Sequence, residues 1–268
     1  MKTALALTLL FFTSSALAAV VGKDVSYKAG ETVMKGFLAF DDAVKGKRAG
    51  VLVVPEWWGA NDYARKRARM LASEGYVALV VDMYGNGQIA TNPTEAGALA
   101  GNINKNPPLA LSRFQAAEQF LGKQPNVKKG EIAALGYCFG GGVVLNMARA
   151  GLPLKSVVSF HGVLATDVAV KPGDIKAKIR VFHGEADPVV PPAQVEAFKT
   201  EMNNAKADYM FVAYPGVKHT FTNREADSYA TQFNLPLKYD NEADTDSWTR
   251  TLEFLKATLN LKTAVDRL

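Results

Sequence analysis

The sequence predicts an α/β protein built on a mostly parallel sheet with helices on both faces. Three observations carry this. Near-solid apolar runs such as Gly50-Val51-Leu52-Val53-Val54-Pro55 and Tyr76-Val77-Ala78-Leu79-Val80-Val81-Asp82 have the pattern of strands covered on both sides. Such runs alternate with stretches of helical character, as a parallel sheet with crossover helices requires. One of them, Ile132-Ala133-Ala134-Leu135, enters an apolar helical stretch through Gly136-Tyr137-Cys138-Phe139-Gly140, a G-x-nucleophile-x-G turn with cysteine in the middle.

Taken in order, Val25–Tyr27 and Met34–Phe40 flank Lys28-Ala29-Gly30-Glu31 and read as an antiparallel hairpin. The strand at Gly50–Val54 precedes a helix from about Asn61 to Gly75, where glycine is the stop signal. After the strand ending at Asp82, Gly85–Pro93 reads as loop, and Thr94–Asn102 and Pro108–Leu121 as helices. The strand and helix around Cys138 come next, then strands at Ser156–Phe160 and Ile179–Phe182, a helix at Pro192–Ala205 and a last strand at Tyr209–Tyr214. Arg224–Thr245, polar and aromatic by turns, reads as a long loop near the active edge, and Ser247–Leu259 as a closing amphipathic helix. No linker interrupts the alternation, so residues 19–268 are expected to form a single domain.

Residues 1–18 have the form of a removable signal peptide: a basic start at Lys2, an apolar stretch from Ala4 to Phe12, and Ala16-Leu17-Ala18 as a small-x-small cleavage site. That stretch is too short for a bilayer span, so no stable membrane association is expected after cleavage, and the mature chain is expected in the periplasm or outside the cell. Cleavage removes Lys2 and takes the formal charge from +5 to +4. The one dense basic cluster, Arg65-Lys66-Arg67-Ala68-Arg69, reads as a solvated helix face, because no aromatic interleaving or nucleic-acid motif accompanies it. With one cysteine the chain has no intramolecular disulfide, and an exported thiol without a structural partner is more easily explained by chemistry.

The turn should hold Cys138 in a strained backbone geometry at the mouth of a helix, where free N–H groups and the helix dipole favour a thiolate. Glycines 140 to 142 early in that helix cost roughly 1 kcal/mol each against alanine, so close backbone approach is expected there. A thiol nucleophile needs a base and a group to orient it. Of three histidines, His161 and His183 end strands and are expected to satisfy backbone groups or pack beneath the site, whereas His219 follows the last strand, where such a base belongs. Asp187, beyond the strand end at His183-Gly184, fits the orienting acid, with Asp174, Glu185 and Asp208 as rivals. The Phe139 amide is positioned to hold an oxyanion, and a second donor should come from Pro55-Glu56-Trp57-Trp58-Gly59. Glu56 there is either a solvated loop residue or part of the site.

These segments, together with Val81-Asp82-Met83-Tyr84-Gly85, His183-Gly184-Glu185-Ala186-Asp187-Pro188, His219-Thr220-Phe221-Thr222-Asn223 and the tail from Tyr239-Asp240 to Ser247-Trp248, resemble the dienelactone hydrolase family of α/β-hydrolases. The resemblance implies a predominantly parallel eight-stranded sheet and a carboxylic ester hydrolase of small esters or lactones. It implies Cys138 as nucleophile, Asp187 as acid, His219 as base, Trp57 and Phe139 as oxyanion donors, and Glu56 as the group that activates the thiol. Tyr84 and Arg224 are its candidate substrate contacts. Members that hydrolyse dienelactone hold its carboxylate with two arginines; here Gly85-Asn86-Gly87 offers none, and the second place is Asn223, with Arg224 one residue on. No cofactor or metal is expected, and the chain is expected to act as a monomer. The alternative is a non-catalytic small-molecule binder of the same fold.

Overall fold

The computed structural model describes residues 20–259; the expected signal peptide, residues 1–18, lies outside them. In chain order the elements are β1 (Val20–Ala29), β2 (Thr32–Asp41), β3 (Arg48–Val54), α1 (Asp62–Ser73), β4 (Val77–Val80), α2 (Pro93–Asn104), α3 (Pro107–Gly122), β5 (Val127–Tyr137), α4 (Phe139–Arg149), β6 (Ser156–Phe160), β7 (Lys178–Gly184), α5 (Pro192–Asn204), β8 (Tyr209–Tyr214), α6 (Ala226–Phe233) and α7 (Asn241–Thr258). They form one eight-stranded sheet ordered β1-β2-β4-β3-β5-β6-β7-β8. The hairpin joins β4 antiparallel, and from β4 to β8 every pairing is parallel.

Alternation along the strands builds two apolar layers. Leu52, Val54, Leu79, Ala134, Val157 and Val181 face the layer that holds Phe114, Leu121, Val144 and Phe198 of α3, α4 and α5. Val51, Val53, Ala78, Ala133, Leu135 and Val158 face Ala64 and Leu71 of α1 and Phe254 and Leu255 of α7. Both faces are thus covered, which is why the central strands read as solid apolar runs. Helix boundaries follow capping chemistry: Asn61 accepts the Ala64 N–H at the start of α1, Asn92 accepts the Glu95 N–H at α2, and Gly75 (φ +89°) ends the turn after α1.

Two expectations are corrected. Arg224–Thr245 is not one long loop, since it contains α6 and the first turn of α7. Tyr229 and Phe233, four residues apart, share one face of α6 and pack their rings on Trp58 at 4.8 and 5.7 Å, and Asp240 caps α7 through the Ala243 N–H. The basic cluster of α1 is not wholly solvated either. Arg67 falls on the buried stripe with Tyr63, Ala64, Ala68 and Leu71 and is 4% exposed.

Candidate active site

Cys138 stands between β5 and α4 with φ +52° and ψ −116°, a conformation that side-chain-bearing residues rarely adopt and that persists only when neighbours over-determine it. Its N–H is shared between Phe160 O at 3.0 Å and His161 Nδ1 at 3.1 Å, and its carbonyl accepts from Gly141 and Gly142. The expected close approach is present. Gly140 N–H donates to Pro55 O at 3.1 Å, and a side chain on Gly140 would collide with the Val54 and Pro55 carbonyls. The thiol is half-buried at the mouth of α4, where the Phe139 N–H, at the first helical position, is one of the donors that a helix cannot satisfy internally.

His219 comes from the loop after β8, tied down where its carbonyl accepts the Lys238 N–H. Its Nδ1 lies 2.7 Å from Oδ2 of Asp187, just past the end of β7, and both side chains are buried. The other Asp187 oxygen accepts the Val189 N–H, so the carboxylate is held from both sides. A carboxylate facing Nδ1 keeps the proton on that nitrogen and leaves Nε2 for the thiol. Burial disfavours the imidazolium, but the neighbouring Cys138 and the hydrogen bonds to Asp187 and Cys138 outweigh it and push His219 up to about 10. Of the rival acids, Glu185 is exposed, Asp174 accepts the Lys171 N–H of its own turn, and Asp208 pairs with Lys178 and Arg180.

The turn after β3 supplies the facing wall. Gly59 N–H donates to Glu56 O at 3.1 Å, which pins the Glu56–Trp57 peptide that carries the Trp57 N–H. Gly59 sits at φ +93°, where a side chain would meet Gln88 O at 2.7 Å. Tyr84 ties this wall to the elbow: its hydroxyl donates to Trp57 O at 2.8 Å and its ring lies 5.6 Å from that of Phe139. Glu56 is no solvated loop residue. It is 2% exposed, Oε2 accepts from Asn223 Nδ2 at 2.8 Å, and Oε1 has no hydrogen-bond partner among the described residues. Burial pushes its carboxyl up to about 7 against the Asn223 hydrogen bond.

Beneath these groups lies a layer that the sequence did not mark as functional. His161 Nε2 is 2.8 Å from Thr222 Oγ1, which is 2.6 Å from the Tyr63 hydroxyl. Arg67 donates to Thr222 O and pairs with Asp244 of α7. The helical spacing of Tyr63 and Arg67 on the apolar stripe was the readable signal. His183 also packs under the site, its ring 5.6 Å from Phe211.

The profile of the dienelactone hydrolase family matches residues 34–259. A dienelactone hydrolase-like promiscuous phosphotriesterase from metagenomic libraries superposes with a TM-score of 0.84 at 33% identity, over 90% of this chain and 99% of that one. The chain belongs to the dienelactone hydrolase family. Among its relatives, a putative carboxymethylenebutenolidase of Synechocystis is 28% identical over 84% of this chain and 92% of its own length. A probable 2-oxo-3-(5-oxofuran-2-ylidene)propanoate lactonase of Bradyrhizobium is 26% identical over 80% and 85%.

Within this dienelactone hydrolase fold, Arg224 does not join the buried set. It is exposed and lies over the Tyr239 ring at 5.7 Å, because Asn223 occupies the inward position one residue earlier. The guanidinium that the sequence offered as a substrate contact is therefore turned to solvent, and a neutral carboxamide faces Glu56 in its place.

Proposed function

We propose that this chain is a cysteine hydrolase of small ester or lactone bonds that works through an acyl-enzyme on Cys138. One observation carries the reading: the His219 imidazole is held by a buried Asp187 carboxylate at 2.7 Å and is acted on by the thiol of the strained elbow residue Cys138. The names of the relatives, carboxymethylenebutenolidase and lactonase, support the same bond class.

The Cys138 thiolate attacks the carbonyl carbon, and the Trp57 and Phe139 N–H groups receive the developing oxyanion. His219, protonated and oriented by Asp187, gives its proton to the leaving alkoxide, and a thioester remains. Water then attacks the thioester, giving its proton to His219; collapse releases the acid and restores the thiolate–imidazolium pair. Asn223 faces Glu56 where a guanidinium would be needed to hold a substrate carboxylate, and Arg224 is turned to solvent, so neutral esters and lactones are the preferred substrates.

The test is turnover of p-nitrophenyl acetate and of neutral and anionic lactones by the parent, Cys138→Ala and Cys138→Ser. Loss of turnover in the alanine variant, with an acyl adduct on Cys138 of the parent by intact mass, is the expected result. An alanine variant as fast as the parent ends this mechanism, and a folded parent that binds esters without acylation favours the non-catalytic binder. We further propose export as a monomer after loss of residues 1–18, which N-terminal sequencing of the exported protein and sedimentation of the mature chain test.

A further inference from the structure

We propose that His161 is a positioning residue for the nucleophile: as a neutral imidazole protonated on Nε2, it accepts the Cys138 amide proton and so fixes the direction in which the thiol leaves the backbone. The inference rests on the reading of Cys138 as nucleophile.

The donor and acceptor roles are forced. An amide N–H can only donate, so His161 Nδ1, 3.1 Å from Cys138 N, carries no proton. A neutral imidazole then holds its proton on Nε2 and donates it to Thr222 Oγ1 at 2.8 Å. Thr222 is itself clamped, its hydroxyl by Tyr63 at 2.6 Å and its carbonyl by Arg67. Arg67 is fastened to Asp244 and enclosed by the rings of Tyr63, Tyr137 and Trp248. A buried chain thus runs from α7 through α1 to the amide of the nucleophile, and which imidazole nitrogen is protonated is settled by the amide that Nδ1 faces.

The elbow needs this hold. At φ +52° and ψ −116° Cys138 stores backbone strain. Its carbonyl is fixed by Gly141 and Gly142, and its N–H by Phe160 O and His161. With both ends of the residue tethered, the Cys138–Phe139 peptide, which carries the oxyanion donor, has one orientation. His161 also accepts unusual backbone geometry, φ +40°, with no exposure at all, which places the ring against the nucleophile rather than in the strand layer.

The groups facing the ring argue against a cation there. The His219 ring meets it edge-on at 5.2 Å, Tyr137 stands at 6.2 Å, and Arg67 and His183 act on it through space. Burial first, then the charges of His219 and Arg67, hold His161 well below the ordinary histidine range. A proton on Nδ1 would set donor against donor at Cys138.

The test compares the parent, Cys138→Ala, His161→Leu, His161→Asn and Thr222→Val. Readouts are kcat and KM on p-nitrophenyl acetate, the pH profile of Cys138 alkylation by iodoacetamide, and the melting temperature. His161→Leu is expected to lose about 10- to 100-fold in kcat with KM little changed, less than the roughly 100- to 1000-fold of a deleted oxyanion donor because the donor is misdirected and not removed, and to need higher pH for alkylation. His161→Asn, whose Oδ1 takes the place of Nδ1, should recover most of both. Should His161→Leu not fold, Thr222→Val, which releases Nε2, should show the same shift in smaller measure. Folded His161→Leu or Thr222→Val with the parent's kcat and alkylation profile overturns the proposal, as does His161→Asn no better than His161→Leu. These outcomes with a reactive parent thiol leave the nucleophile reading intact. An inert parent thiol, or an active Cys138→Ala, brings that reading down and this inference with it.

Discussion

The Asn223 carboxamide donates to Oε2 of Glu56 at 2.8 Å, both side chains sealed from solvent, so a buried carboxyl is held by a neutral partner. Neutral support does not offset burial, and the Glu56 carboxyl is pushed from 4.5 up to about 7. Because the folded chain then keeps its proton where the unfolded chain has lost it, stability falls as pH rises from about 4.5 to about 7. Above that window the ionised carboxylate costs up to about 3 kcal/mol. Glu56→Gln removes the charge and keeps an acceptor for Asn223. Urea unfolding should therefore show the variant near the parent at pH 5 and more stable than it at pH 8, while its turnover falls if Glu56 assists the thiol. Equal differences at both pH values would contradict this account.

Three histidines make the protonation states directly observable. In the parent, imidazole resonances should show His219 still protonated at pH 8, whereas His161 and His183, both lowered by burial, stay neutral at pH 6.5. His219 is raised, so the stability it contributes is complete below about 6.5 and is lost as pH climbs toward 10. Cys138→Ala deletes the charge and hydrogen bond that the thiol supplies, so the His219 midpoint should move down. A midpoint that stays put would detach the imidazole from the thiol.

Much of this was legible in the residues. Solid apolar strands announced a sheet covered twice, and the spacing of Cys138, Asp187 and His219 placed each at the carboxyl end of a strand. What was hidden depended on distant pairing. Asn223 and Glu56 are 167 positions apart, and Thr222 and Tyr63 159, so nothing local marks either as buried partners. Arg67 was misread because charge outweighed position: it sits three residues past Ala64 on the apolar stripe, and Asp244, the Thr222 carbonyl and the rings of Tyr63, Tyr137 and Trp248, most of them distant in sequence, explain it. Helix α6 was missed because its apolar face is short, Ala226, Tyr229 and Phe233 within eight residues.

Tyr84 joins the two proposed oxyanion donors without a backbone contact to either N–H. Its hydroxyl restrains the peptide after Trp57 and its ring supports Phe139. Tyr84→Phe keeps the ring and deletes one hydrogen bond, a change of about 1 kcal/mol in stability. If that bond aligns the Trp57 loop, kcat on p-nitrophenyl acetate should drop roughly 10-fold with KM little altered, since the loss falls on the transition state. A rise in KM alone would assign Tyr84 to substrate binding instead.

The glycine run after Cys138 is the structural condition for the site, and two substitutions separate its causes. Gly140→Ala would drive a methyl group into the Val54 and Pro55 carbonyls and break the approach that brings α4 against β3. Backbone atoms cannot yield as a side-chain tip can, so the cost should exceed about 2 kcal/mol in urea unfolding, and turnover should vanish in whatever fraction folds. Gly97→Ala in α2 is the matched control, because nothing lies within 4 Å of a side chain there. Alanine is the better helix former, so that variant should gain up to about 1 kcal/mol with turnover unchanged. If Gly140→Ala instead gained stability as Gly97→Ala does, helix propensity would be the whole story, and the strand-to-helix contact would not be what sets the thiol in place.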